Sequence, residues 1–233
     1  ILETGDTATI DYSIVTKSAN EDDSDTNELG IQGASNNEIT NNSTISAGGI
    51  GIVVDDNATI INTGTILTRS NNSSVVKIGG GTITNEGTIS TSFIETKGIF
   101  GTGGALTINN TGTISAEDGI YTNNSSITIN NNIGGVISGI GWEESRGIYV
   151  TNTSATTTII NAGRISGVGT GIYVFGADTT ITNTGRIVGT GALSEGIHLK
   201  SGGTVTNSGS ITGINYGISS KSGTATITNT GTI

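Results

Sequence analysis

The sequence predicts an all-β fold, a right-handed parallel β-helix (solenoid) of about nine or ten coils of 21–30 residues. Three observations predict this fold. A seven-residue motif with Asn and Gly at fixed places recurs along the chain, and a Gly-Ile element falls between its copies. Ile, Val and Thr, which favour strands, also recur throughout. Gly, Thr and Asn are weak helix formers, which argues against helical repeats of similar length.

The repeated motif is Ile-x-Asn-x-Gly-x-Ile, and its Asn residues are 21 to 30 residues apart, a spacing that suits one solenoid coil. The copies cover residues 60–66, 83–89, 108–114, 159–165, 181–187, 205–211 and 227–233, with degenerate copies at 39–45 and 129–137. Side chains alternate along a strand, so the first Ile and the Asn share the inner face. We expect the Gly to take a positive φ at the turn that follows.

The inward Asn predicts a structural ladder, because its amide can bond both the turn backbone and the Asn one coil away. The predicted ladder residues are Asn62, Asn85, Asn110, Asn161, Asn183, Asn207 and Asn229. The Gly-Ile element and a short strand leading into each motif bring the expected count to about three strands per coil.

The residue after the Ile of each Gly-Ile element is expected to point outward. Coil by coil, this position is occupied by Gly51, Lys77, Phe100, Tyr121, Tyr149, Tyr173, His198 and Ser219. The candidate ligand-binding residues are Phe100, Tyr121, Tyr149, Tyr173 and His198, together with the nearby Trp142. An exposed aromatic stripe is typical of a binding surface, because Tyr combines a large contact area with a polar tip. The same stripe is also explained by stacking that stabilises neighbouring strands, and the two explanations are compatible.

We divide the chain into residues 1–38, an irregular N-terminal capping coil with an acidic loop, and residues 39–233, the repeats. The acidic run at 21–28 is interpreted as a solvated loop, because its spacing does not match an EF-hand calcium site. The chain begins at Ile1 without Met and stops within a motif at Ile233, and we expect it to be a piece of a longer precursor.

Composition argues against several function classes. The net charge of −10 argues against nucleic acid as a partner, because phosphate binding needs clustered Lys and Arg. The chain has no Cys for disulfides or thiolate chemistry, and no apolar run approaches the roughly 20 residues of a membrane-spanning helix. We expect no metal, no cofactor and no membrane insertion by this segment.

Catalysis is also not expected. His198 is the single histidine, and nothing in the sequence marks a nucleophile for it. The carboxylates of Asp55-Asp56, Glu117-Asp118 and Glu143-Glu144 are adjacent, so on a strand they point to opposite faces and make poor acid/base pairs. A polysaccharide-active β-helix enzyme is therefore a weaker alternative.

The Ile-x-Asn-x-Gly-x-Ile copies, with Gly-Ile-Tyr-Val between them, resemble the passenger domain of bacterial type V autotransporters. The copies at 159–165 and 181–187, with 171–174 and 196–199, carry the resemblance best, and it covers about residues 39–233. The resemblance implies a protein secreted or displayed on the bacterial outer-membrane surface through a separate translocator domain. The N-terminal acidic loop is not part of that pattern.

From the resemblance and the aromatic stripe we expect an adhesin or virulence ligand that binds host cells through a cell-surface protein or glycan. The alternative is a structural, self-associating stalk that mediates bacterial aggregation or biofilm formation. Thr-x-Thr pairs such as Thr63 and Thr65 are similar to ice-binding arrays, but Glu86, Arg164 and Arg186 interrupt the series. Ice binding is therefore a weaker alternative.

Overall fold

The computed structural model describes residues 1–16 and 28–233, and within these residues the chain forms 28 strands and no helix. The first fourteen strands are β1 (Thr7–Ile10), β2 (Ile14–Val15), β3 (Ile31–Gln32), β4 (Glu38–Asn41), β5 (Thr44–Ala47), β6 (Ile52–Val54), β7 (Ala58–Asn62), β8 (Thr65–Thr68), β9 (Ser74–Ile78), β10 (Gly81–Asn85), β11 (Thr88–Ser90), β12 (Lys97–Gly101), β13 (Ala105–Asn110) and β14 (Thr113–Ala116). The remaining strands are β15 (Asp118–Thr122), β16 (Ser126–Asn131), β17 (Val136–Gly139), β18 (Arg146–Val150), β19 (Thr156–Asn161), β20 (Arg164–Gly167), β21 (Thr170–Val174), β22 (Thr179–Asn183), β23 (Arg186–Gly189), β24 (Glu195–Leu199), β25 (Gly203–Asn207), β26 (Ser210–Thr212), β27 (Tyr216–Ser220) and β28 (Ala225–Asn229).

The strands recur in threes, and each coil contributes one strand to each of three parallel sheets. Sheet A contains the ten strands β1-β4-β7-β10-β13-β16-β19-β22-β25-β28. Sheet B contains the nine strands β2-β5-β8-β11-β14-β17-β20-β23-β26, and sheet C the nine strands β3-β6-β9-β12-β15-β18-β21-β24-β27. The prediction of an all-β parallel solenoid is thereby confirmed, with about nine turns. Its right-handed sense stays a prediction.

The repeated motif spans one strand of sheet A, a bend and one strand of sheet B. In one copy, Ile60 and Asn62 lie on β7, Gly64 lies at the bend, and Ile66 lies on β8. The pairing is in register from coil to coil, so that Ile60 lies opposite Ile83. Like residues therefore form columns along the solenoid.

The core lies between the three sheets and consists of these columns. Each sheet contributes a column of fully buried Ile side chains, because alternation along each strand sends every second residue inward. The sheet A column includes Ile60, Ile83, Ile108, Ile129 and Ile159, the sheet B column Ile66, Ile89, Ile114, Ile137 and Ile165, and the sheet C column Ile99, Ile120, Ile148, Ile172 and Ile197. Since a single coil cannot bury its own apolar face, stability comes from contacts between neighbouring coils.

The motif Asn side chains form a continuous hydrogen-bonded series between sheets A and B. The Nδ2 of Asn62 donates to Oδ1 of Asn85 at 2.7 Å and to the carbonyl oxygen of Gly64 at 3.2 Å. The same pair of bonds recurs from Asn41 to Asn207, passing through Asn85, Asn110, Asn131, Asn161 and Asn183, and ends on Asn229. Buried amides without partners would be costly, and this series gives each of them partners.

The motif Gly is required at the bend for a reason other than the positive φ that we expected. Gly64 does not have a positive φ. Among the described residues, the glycines that do are Gly5, Gly81, Gly134, Gly141, Gly202, Gly203 and Gly223, and of these only Gly134 falls within a copy of the motif, the degenerate one at 129–137. A Cβ on Gly64 would instead overlap the backbone of Ser43 in the preceding coil, and one on Gly87 would overlap the carbonyl oxygen of Gly64. Glycine is thus required because the coils approach closely at this bend.

The first residues join the same three sheets. Strand β1 pairs with β4, β2 pairs with β5, and Leu2 forms a bridge with Gly33. The acidic run at 21–28 lies outside the described residues except for Glu28.

Candidate binding face

Sheet C positions the candidate binding residues. Its register places Lys77 opposite Phe100, Phe100 opposite Tyr121, and each later ring opposite the next, as far as Tyr173 and His198. All of these side chains are half-buried on the outer surface, while the residue before each, Val76 or an Ile, is fully buried. The prediction that Gly51 occupies this column is wrong. Val53 lies opposite Lys77, because β6 begins at Ile52 and pairs Ile52 with Val76.

The rings contact one another without interruption over five coils. Phe100 meets Tyr121 edge-on, with centroids 5.4 Å apart, and Tyr121 meets Tyr149 edge-on at 5.1 Å. Tyr149 and Tyr173 are parallel at 5.4 Å, and His198 stands edge-on to Tyr173 at 4.3 Å. Aromatic contacts of this kind contribute about 0.5–1.5 kcal/mol each beyond area burial. The stripe therefore stabilises the stack of coils as well as presenting a surface.

Phe175 belongs to the same surface although the sequence analysis did not select it. Its ring lies 5.1 Å from that of Tyr173 and 5.9 Å from that of Tyr149. Phe175 follows Tyr173 by two residues, so strand alternation alone could have placed it on the outer face. We call Phe100, Tyr121, Tyr149, Tyr173, Phe175 and His198 the aromatic face.

Cationic side chains cover part of the aromatic face. The Arg146 guanidinium lies 4.1 Å from the centroid of Tyr149 and 5.5 Å from that of Tyr173. Lysine ammonium groups lie 5.7–5.9 Å from three other rings, with Lys77 over Phe100, Lys97 over Tyr121 and Lys200 over Phe175. These distances fall within the roughly 6 Å range of cation–π attraction. Lys77 belongs to the column predicted from the sequence, whereas Arg146, Lys97 and Lys200 lie outside that column and were not predicted.

Asp118 is the most perturbed carboxylate beside the aromatic face. Burial raises the pKa of Asp118 to about 6, although the Arg146 guanidinium, 3.8 Å away, and the Arg146 backbone N–H, at 3.0 Å, both lower it. Desolvation therefore outweighs the ion pair at this position. Burial also raises the pKa of Tyr149, with Arg146 again opposing the shift.

His198 has two polar neighbours, but they do not form a catalytic triad. Its Nδ1 lies 2.5 Å from Oε2 of Glu195 and 3.0 Å from Oγ of Ser219. A triad uses one ring nitrogen for the acid and the other for the nucleophile, whereas here both groups face the same nitrogen. The Nε2 of His198 is buried without a hydrogen-bond partner among the described residues.

Trp142 lies apart from the other candidate residues. It is 61% exposed in the loop between β17 and β18, and it makes no ring contact with the aromatic face. It lines an open groove of about 660 Å³, which we call the loop groove, formed by Ile94, Glu95, Glu117, Trp142, Glu143 and Glu144. Through Glu143 and Glu144 the loop groove continues into a depression of about 290 Å³ that reaches Tyr173, Leu193, Glu195 and His198.

Within residues 1–16 and 28–233, no group of three or more His, Asp and Glu side chains is placed to hold a metal ion. The same part of the chain contains no helix long and apolar enough to cross a membrane. Compared with known proteins, the chain matches no family model, no curated protein and no solved structure.

Proposed function

We propose that the chain is a secreted or surface-displayed bacterial passenger domain, of the kind found in autotransporters, that binds a host cell-surface protein or glycan along the aromatic face. The observation that carries the proposal is the unbroken run of rings from Phe100 to His198. Aromatic and Arg side chains are the residues most enriched at the energetic centres of protein interfaces. A solenoid displays such residues as one extended surface.

The ring geometry bears on the kind of contact that a partner can make. Tyr149 and Tyr173 stack in parallel, and Arg146 lies over Tyr149, so these ring faces are turned towards their neighbours. A partner reaching this surface therefore meets ring edges and guanidinium donors. These groups suit hydrogen-bonding protein side chains or sugar hydroxyls.

The test is binding to host cells by a variant in which Tyr121, Tyr149 and Tyr173 are replaced by Ala, with folding checked by circular dichroism. The matched control likewise carries Ala, at Thr107, Thr128 and Thr158. These residues are half-buried and lie in register on the outer face of sheet A. We expect the Tyr variant to lose binding and the Thr variant to retain it. Unchanged binding by a folded Tyr variant would refute the proposal.

A second candidate function is a self-associating stalk. The observation that favours it is the polar outer face of sheet A, where Thr107, Thr128 and Thr158 align and Asn130 donates to Asn109 at 2.8 Å. Such a face can pair with a second copy through many weak hydrogen bonds. Sedimentation at increasing concentration tests it: association abolished by charged substitutions on this face supports a stalk, and a monomer at all concentrations excludes it.

A further inference from the structure

The loop groove combines exposed apolar side chains with carboxylates beside the aromatic face. Trp142 is 61% exposed, Ile94 is 45% exposed, and Leu193, at the far end of the adjoining depression, is 81% exposed. Large apolar side chains grouped in one concave region indicate an interaction site more often than scattered ones do.

The carboxylates between these apolar groups have no cationic partners in the fold. Among the described residues, no Lys, Arg or His lies within ion-pair distance of Glu95, Glu143 or Glu144. Arg146 lines the depression, but it pairs with Asp118 and covers Tyr149. Lys97 donates to the backbone carbonyl oxygen of Glu95 at 3.2 Å and lies over Tyr121. The carboxylates of Glu95, Glu143 and Glu144 therefore have no ion-pair partner among the described residues, and a cationic ligand would relieve the repulsion between them.

Glu95 and Glu117 are joined by a hydrogen bond in one wall of the loop groove. The backbone N–H of Glu95 donates to Oε2 of Glu117 at 2.5 Å, and Glu95 has a φ of 54°, in the left-handed region. This conformation fixes the loop before β12 beside the loop of the next coil. The Glu117 carboxylate is thus used in shaping the wall of the groove, and Glu143 and Glu144 remain free for a ligand.

We propose that the loop groove and the adjoining depression bind an extended basic peptide segment with Lys or Arg at its centre and an apolar side chain at each end. This inference rests on the proposed function, because it names the chemistry of the partner at the same surface. Ile94 and Leu193 are four coils apart, or ~19 Å at the spacing of neighbouring strands, which an extended segment of about six residues spans. One apolar end of the peptide contacts Ile94 and Trp142, and the other contacts Leu193. The basic centre lies against Glu143 and Glu144.

The probe is a labelled peptide of sequence Leu-Lys-Lys-Lys-Lys-Leu, compared with Gly-Lys-Lys-Lys-Lys-Gly and Leu-Glu-Glu-Glu-Glu-Leu by fluorescence anisotropy on the full chain. We expect the first peptide to bind most tightly and the acidic peptide not to bind. Equal binding of the two Lys peptides would mean diffuse attraction to an acidic protein and would overturn the inference, as would no binding of either.

Substitutions test whether the peptide binds in the groove or elsewhere on the acidic surface. We expect Glu143→Gln with Glu144→Gln to weaken binding by about tenfold, and Trp142→Ala to weaken binding at unchanged salt dependence. The matched control, Glu38→Gln with Glu86→Gln, removes two exposed carboxylates elsewhere, and we expect unchanged affinity. An equal loss in the control would contradict the assignment.

The two sets of experiments distinguish failure of this inference from failure of the proposed function. If the Tyr variant abolishes cell binding while the peptide fails to bind, the proposed function stands and the basic-segment inference is wrong. If the peptide binds in the groove while cells are bound equally by wild type and Tyr variant, the groove is a peptide-binding site, but the proposed function is wrong and the peptide does not represent a cell-surface partner of the aromatic face.

Discussion

The side-chain amide of Asn110 donates a 2.8 Å hydrogen bond to the amide oxygen of Asn131, one coil further along the chain. The same nitrogen also contacts the carbonyl oxygens of Gly112 and Val136, so one buried NH2 group connects two coils and the bend between sheets A and B. Asn110 is thus a polar side chain that lies in the core and helps to specify the fold.

Asn110→Ala should destabilise the protein by about 3 kcal/mol, because it leaves the buried Oδ1 of Asn131 without its donor and removes the bonds to the carbonyl oxygens of Gly112 and Val136 and from Nδ2 of Asn85. Chemical denaturation measures this loss. The matched control is Asn109→Ala one residue away, where the half-buried side chain faces outward and the cost should stay below ~1 kcal/mol. Equal losses at the two positions would show that the inward bonds are not what stabilises the bend.

Gly112→Ala should destabilise the protein by about 3 kcal/mol or prevent folding, because the added Cβ would overlap the carbonyl oxygen of Gly87. Expression level and thermal unfolding report the effect. Gly104→Ala is the control, since an added Cβ there meets only the Asp56 side chain, at 3.2 Å. A well-folded Gly112→Ala variant of normal stability would contradict the close-approach explanation for the motif glycines.

Tyr149→Ala should destabilise the protein by about 2–3 kcal/mol, because it removes ring contacts with Tyr121, Tyr173 and Phe175 and the Arg146 contact. Tyr149→Phe keeps the ring and should cost little. Denaturant titration of both variants separates the stacking contribution from that of the hydroxyl group. If both variants were as stable as wild type, the aromatic face would serve binding without stabilising the coils.

Asp118 should make the stability depend on pH between about 4 and 6. Its pKa in the fold is about 6, above the unfolded value of 3.8, so the folded state binds the extra proton in this range. Its contribution to stability is therefore present below pH 4 and is lost as the pH rises through 6, by up to about 3 kcal/mol. The difference in unfolding free energy between wild type and Asp118→Asn, measured from pH 4 to 7, isolates the effect.

The control for this titration is Glu86→Gln, which removes an exposed carboxylate. Its difference from wild type should stay nearly flat over the same pH range. A flat difference for Asp118→Asn as well would mean that the Arg146 ion pair offsets the desolvation of the carboxylate.

The repeat arithmetic was enough to predict the parallel solenoid, because a period-two pattern with Ile, Asn and Gly at fixed offsets leaves few ways to bury the apolar side chains. The alternation rule also placed Phe100, Tyr121, Tyr149, Tyr173 and His198 in one column. Val53 was missed because two residues of register separate it from the position of Gly51, and register depends on pairing with the next coil.

The surface around the aromatic face could not be predicted in the same way. The loops that carry Ile94, Trp142 and Leu193 differ in sequence, and only their positions at one edge of sheet C, two coils apart from each to the next, bring them to the loop groove and the adjoining depression. The Asp118–Arg146 pair joins residues 28 positions apart, and its burial arises from packing that no local pattern reports.

The Asn series runs one way: every amide from Asn41 to Asn207 donates to the Asn one coil towards the C-terminus, and every amide from Asn62 to Asn229 accepts from the Asn one coil towards the N-terminus. Each coil is therefore an interchangeable module with a donor end and an acceptor end. Excising residues 162–183 would leave Asn161 donating to Asn207, shorten the rod by ~4.8 Å and remove Tyr173 and Phe175 together. Rod length and the extent of the aromatic face are thus coupled, and any gain or loss of whole coils changes the reach of the molecule and the size of its contact surface in the same step.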